Sequence, residues 1–165
     1  MNILYLHGLN GSLSLEKKTI LEQYGNVYAP SIDYENEPNS ISDIIAQYHN
    51  ISVNVVIGSS MGGFAGYYVA NQFQCPALLF NPALLKRSVK QNIPEIKYKI
   101  SSVKRIVLGT EDNVVNPKET LQFLANTIDF YPNYNLHVRN QLAHRIPITV
   151  FKEEVNIFFN ELGDS

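Results

Sequence analysis

Residues 58–62 read Gly58-Ser59-Ser60-Met61-Gly62, a G-x-S-x-G pentapeptide with Val55-Val56-Ile57 before it and Gly63-Phe64-Ala65 after it. Strand, tight turn and helix form the setting in which a serine becomes a nucleophile. The turn lifts the hydroxyl above the edge of a sheet and places it at a helix N-terminus, where free amides and the helix dipole favour developing negative charge. Side chains at Gly58 and Gly62 would collide with the neighbouring strand and helix, which is the steric reason for glycine at both places. Two plainer readings compete: a turn built from small residues, and a phosphate loop. The lysine that a phosphate loop needs does not follow these glycines.

A serine hydroxyl is a poor nucleophile near neutral pH, so Ser60 needs a base and a group to orient it. The chain has four histidines. His7 closes the first strand, His49 ends a surface helix and His137 lies within the last strand. His144 follows that strand in the loop Asn140-Gln141-Leu142-Ala143-His144 and precedes the final helix, where an elbow serine finds its base. The acid is expected between nucleophile and base, just after a strand. Val107-Leu108-Gly109-Thr110-Glu111-Asp112 offers two adjacent carboxylates there. Asp112 fits best, in G-x-x-D followed by Val114-Val115, with Glu111 as the alternative. Asp33 and Asp129 read as solvated surface charges.

An acyl-transfer serine also needs donors for the oxyanion, and losing one such donor typically costs roughly 100-fold to 1000-fold in rate. Two backbone amides are expected: that of Met61, next to the nucleophile, and that of Leu9. Leu9 lies in His7-Gly8-Leu9-Asn10-Gly11, an H-G-x-x-G loop after the first strand. His7 and Gly8 support that loop as Gly58 and Gly62 support the elbow. Together the residues describe attack of Ser60 on an ester or thioester carbonyl, with no metal and no organic cofactor required.

The elements that must position these groups follow from periodicity. Short apolar runs alternate with helical patterns from end to end, the mark of strand-helix-strand units and a mostly parallel sheet. Strands are expected at Ile3–Leu6, Val53–Ile57, Ala77–Phe80, Val103–Leu108 and Leu136–Val138, with a weaker one at Val27–Ala29. Helices are expected at Ser14–Tyr24, Ser40–Tyr48, Gly62–Phe73, from Pro117 through Leu124, and Pro147–Leu162. The irregular stretch Asn81–Ser102 is long enough to require a crossover helix, which leaves too little chain for a separate lid. Phe64, Tyr67 and Tyr98 would suit an apolar acyl pocket, but aromatics at helical spacing read first as core residues.

With 165 residues, 45% of them hydrophobic, the chain is expected to form one domain over 1–165. A formal charge of −2 and no run of Lys or Arg argue against a nucleic-acid partner. No apolar run approaches the roughly 20 residues needed to cross a bilayer, and no secretion signal is visible. With Cys75 as the single cysteine, these features fit a cytoplasmic protein without disulfides or a metal knuckle, acting on a small molecule.

The chain resembles the YqiA-like family of small bacterial esterases, a minimal branch of the α/β-hydrolases. The likeness is carried by Tyr5-Leu6-His7-Gly8, Gly58-Ser59-Ser60-Met61-Gly62-Gly63-Phe64, Cys75-Pro76-Ala77, Phe80-Asn81-Pro82-Ala83, Gly109-Thr110-Glu111-Asp112 and Ala143-His144-Arg145-Ile146. The Asn81-Pro82-Ala83 step is the most family-specific of these. The resemblance implies an α/β fold of the minimal α/β-hydrolase type, with helices on both faces of a parallel sheet and no large lid. It also implies a Ser60, Asp112, His144 triad acting on short acyl esters. An acyltransferase or thioesterase on the same residues, and a binding module without turnover, are the alternatives.

Overall fold

The computed structural model describes residues 1–95, 102–130 and 132–163. Six strands form one sheet: β1 (Asn2–Leu6), β2 (Asn26–Tyr28), β3 (Val55–Ser59), β4 (Ala77–Phe80), β5 (Lys104–Gly109) and β6 (Tyr134–Arg139). Every pairing is parallel, in the order β2-β1-β3-β4-β5-β6. The helices are α1 (Leu15–Leu21), α2 (Ser40–Tyr48), α3 (Met61–Phe73), α4 (Pro117–Asn126) and α5 (Ile148–Gly163).

Side chains alternate across the sheet, so the inner strands β1, β3, β4 and β5 feed two cores. Leu4 and Leu6 of β1, Val56 of β3 and Ile106 and Leu108 of β5 pack with Ile41, Ile44 and Phe64 of α2 and α3. Ile3, Tyr5, Val55, Ile57 and Val107 point the other way, onto Ile20 and Leu21 of α1 and Phe151, Val155 and Phe158 of α5. This is the α/β-hydrolase architecture in minimal form, without a cap domain among the described residues. Parallel strands bring all their C-terminal ends to one edge, and the loops after β1, β3, β5 and β6 carry the residues singled out above. Among the described residues no helix is long and apolar enough to cross a membrane.

The connection from β4 to β5 departs from expectation. Its described part, residues 81–95, forms no helix; residues 96–101, with Tyr98, lie outside the described residues. Pro82 and Pro94 remove backbone donors, and side chains replace the missing ladder. Gln91 Nε2 donates to the carbonyls of Tyr34 (2.8 Å) and Glu37 (3.1 Å), and Asn92 N–H donates to the Pro38 carbonyl (2.8 Å). These bonds tie the segment to the loop after β2, and its own Ala83 and Leu84 are buried. Phe64 and Tyr67 are core residues, as expected.

Lys104 opens β5 fully buried, its Nζ 3.5 Å from the Ser102 carbonyl and 5.4 Å from the Tyr67 ring centroid. Burial lowers its pKa from 10.5 to about 8. The folded chain therefore binds fewer protons here than the unfolded chain between those two values, so stability rises with pH above about 8. Near pH 10 buried tyrosines such as Tyr5, pushed up to about 12, begin to oppose that rise. Lys104→Met is expected to stabilise the fold at pH 7 by about 1–3 kcal/mol and to flatten the rise between pH 8 and 9.5, read by urea unfolding at both ends of the range.

Candidate active site

Ser60 joins β3 to α3 with φ 55 and ψ −116, a conformation that strains any residue with a side chain. Its surroundings hold it there. Ser60 N–H donates to the Phe80 carbonyl (2.9 Å), and its own carbonyl accepts from Phe64 (3.0 Å) and Ala83 (3.2 Å). A Cβ on Gly58 would lie 2.2 Å from the Gly62 carbonyl oxygen, and one on Gly62 would lie 2.0 Å from that of Leu6. Both glycines are thus required by backbone contact, as the spacing of the pentapeptide implies.

Met61 is the first residue of α3, so its N–H has no acceptor within the helix. The loop after β1 turns between Gly8 and Gly11, closed by Gly11 N–H on the Gly8 carbonyl (3.0 Å), with Asn10 at φ 52. Leu9 is the second residue of that turn, and its N–H is unpaired among the described residues. Leu9, Met61, Ser60 and His144 all line one cavity of about 1030 Å³.

His7 is buried, and its two nitrogens tie two loops together. Ile32 N–H donates to Nε2 (2.9 Å), so the ring proton sits on Nδ1 and is donated to the Gly8 carbonyl (2.7 Å). The histidine fixes the loop that presents Leu9.

Asp112 is buried and uses both carboxylate oxygens. Oδ1 accepts from Val114 N–H (2.9 Å) and Val115 N–H (2.8 Å), and Oδ2 accepts from His144 Nδ1 at 2.8 Å. This leaves Nε2 as the lone-pair nitrogen of the neutral ring, with no protein partner among the described residues. Glu111 is exposed and meets the histidine loop only through its backbone, N–H to the Leu142 carbonyl (3.0 Å). Asp112, not Glu111, reaches the imidazole. Ser60 and His144 face the same cavity without a mutual hydrogen bond, an arrangement that tightens in many enzymes only when substrate arrives. Among the described residues, no His, Cys, Asp and Glu gather in the number a metal site needs.

One residue at the site has no role in the sequence reading beyond its place in Asn81-Pro82-Ala83. Asn81 sits at the end of β4 with φ 41, 1% exposed. Its Oδ1 accepts from Gly109 N–H (2.8 Å), and its Nδ2 donates to the carbonyls of Ala143 (3.1 Å) and His144 (3.3 Å). One side chain therefore clamps the end of β5, just before Asp112, to the loop that carries His144. Asn81→Asp replaces the donor with a carboxylate facing two carbonyls. It is expected to lower kcat for an ester about 10-fold to 100-fold, at temperatures where circular dichroism shows the chain fully folded.

The same scaffold recurs in solved structures. SOBER1 from Arabidopsis thaliana superposes with a TM-score of 0.72 at 15% identity, over 96% of this chain and 99% of the other. Est1E from Butyrivibrio proteoclasticus gives 0.73 at 16% identity, over 99% and 88%. A Bacillus cereus carboxylesterase gives 0.67 at 14% identity, over 96% and 87%. At such identities the likeness is one of fold. Residues 2–99, more than half of the chain and the part that holds the Gly8–Gly11 loop, the Ser60 turn and the Asn-Pro-Ala step, match the model of the Uncharacterised protein family (UPF0227). The chain belongs to that family, the YqiA-like branch of the α/β-hydrolase fold.

Proposed function

We propose that this chain is a serine hydrolase that cleaves short-chain acyl esters or thioesters through an acyl-Ser60 intermediate. The observation that carries the reading is the 2.8 Å bond between Asp112 and His144 at the rim of the cavity that Ser60 enters from its strained turn. His144 Nε2 takes the proton of Ser60 Oγ as the oxygen attacks the substrate carbonyl, and the amides of Leu9 and Met61 hold the oxyanion. The ring then gives that proton to the departing alcohol or thiol. Water, deprotonated by the same nitrogen, releases the carboxylic acid and restores Ser60. Asp112 holds the ring in the productive tautomer throughout.

The carboxylesterase among the fold relatives supports this reading, as does the energetic cost of the Ser60 backbone, a strain that persists mainly where function uses it. The test is hydrolysis of p-nitrophenyl acetate and butyrate by the purified chain. Turnover above the buffer rate is expected for both; a folded protein that turns over neither ester contradicts the proposal.

A further inference from the structure

The cavity above Ser60 carries the opposite charge from the molecule as a whole. The chain has a formal charge of −2, yet the cavity wall holds Lys17, Lys86, Arg87 and Arg145 against a single carboxylate, Glu119. Glu119 is already paired with Lys86. Among the described residues, none of the other three cations has a carboxylate within ion-pair distance.

Two of these three are also partly withdrawn from water. Lys17, half-buried in the first turn of α1, lies with Nζ 5.1 Å from the Phe151 ring centroid, and burial lowers its pKa. Arg87 lies 4.1 Å over the Phe64 ring and donates through Nη1 to the Leu84 carbonyl (2.9 Å), while its Nε is buried without an acceptor. A partly buried cation with no counter-ion is unfavourable until an anion arrives. The two sit on opposite faces of the sheet: Lys17 with the α1 and α5 core, beside the loop that carries Arg145, and Arg87 with the α3 core. Cations therefore flank the nucleophile from both sides. A site built only for short neutral acyl chains needs neither.

Resting on the proposed hydrolase reading, we infer that Ser60 acts on acyl esters or thioesters that bear a negative charge, a carboxylate or phosphate held by Lys17 and Arg145 on one flank or by Arg87 on the other. The anion adds affinity and fixes which side of the scissile bond faces which flank.

Two matched pairs of substrates locate the charge. For the acyl side the pair is p-nitrophenyl hemisuccinate against p-nitrophenyl pentanoate; for the alcohol side it is 4-acetoxybenzoate against its methyl ester. At low salt the wild type is expected to prefer the anionic member of at least one pair by about 10-fold in kcat/KM, the scale of one desolvated charge contact. Lys17→Glu or Arg87→Glu, whichever faces that charge, is expected to bring the ratio to one or below. Ratios near one for both pairs in the wild type, or a preference unmoved by either reversal, overturn the inference.

Binding separates this inference from the hydrolase reading. If wild type hydrolyses charged and neutral esters alike, Ser60 chemistry stands and the charge preference falls. If wild type hydrolyses none, yet Ser60→Ala binds monoethyl succinate about 10-fold tighter than ethyl pentanoate by calorimetry, the anion site stands and the hydrolase reading falls.

Discussion

Ser60→Ala is expected to lower kcat for p-nitrophenyl butyrate by about 10⁴-fold to 10⁶-fold, leaving only what the oxyanion donors and substrate positioning supply without a nucleophile. The effect is this large because the acyl-enzyme route is lost altogether. The fold should be unaffected. Alanine keeps the Cβ, so the cost of φ 55 is the same in both chains, and the bonds that fix residue 60, to Phe80, Phe64 and Ala83, are all backbone bonds. Melting temperatures of the two chains are therefore expected to agree within about 3 °C. An unfolded variant would place the strain of the turn on the serine hydroxyl, contrary to the bonding seen.

Asp112→Asn is expected to cost about 10⁴-fold in kcat, while Glu111→Gln stays within about threefold of wild type. An amide at position 112 still offers one oxygen to Val114 and Val115, so the turn survives. Its nitrogen then faces His144 Nδ1, where the carboxylate oxygen now sits at 2.8 Å. A donor there selects the tautomer protonated on Nε2, which cannot take the proton from Ser60. Glu111 lies out in solvent and makes no contact with the ring. Parallel kinetics on the two variants, side by side with wild type, distinguish the adjacent acids.

That distinction shows where the sequence stops being informative. Gly109-Thr110-Glu111-Asp112 ends a strand in two carboxylates, and the G-x-x-D spacing with Val114-Val115 after it favours Asp112 but leaves Glu111 as the alternative. What separates them is the pair of amides from Val114 and Val115, which turn the Asp112 side chain inward. The elbow was legible because β3, two glycines and α3 are adjacent in the chain and the clash that demands glycine at 58 arises within that turn, although the one that demands glycine at 62 comes from Leu6 and His7. Asn81 was not. Its partners lie 28, 62 and 63 residues away, and Asn-Pro-Ala on its own reads as a turn.

Charges inside the fold were hidden in the same way. Lys104 opens, with Arg105, a strand that is apolar only from Ile106 onward, and Glu154 falls in a helix beside Lys152 and Glu153; by residue type each reads as a surface position. The structure buries both. Glu154 is fully covered because Arg105 (3.0 Å), Arg139 (2.7 Å) and His137 (2.7 Å) converge on it from β5 and β6, a compensation that requires the sheet to exist first. The β4–β5 connection went the other way. Its length implied a helix, but Pro82, Pro94 and the reach of Gln91 to Tyr34 hold the described part extended against the loop after β2, and that course puts Lys86 and Arg87 at the mouth of the site.

The central claim is that Ser60 is an activated nucleophile, and active-site labelling tests it without assuming a substrate. Wild type treated with a fluorophosphonate probe is expected to gain one phosphonyl group per chain, mapped by peptide mass spectrometry to Ser60. Labelling should slow sharply in His144→Ala and disappear in Ser60→Ala. A folded wild type that takes up no label, or a label that maps elsewhere and persists in Ser60→Ala, would contradict the account.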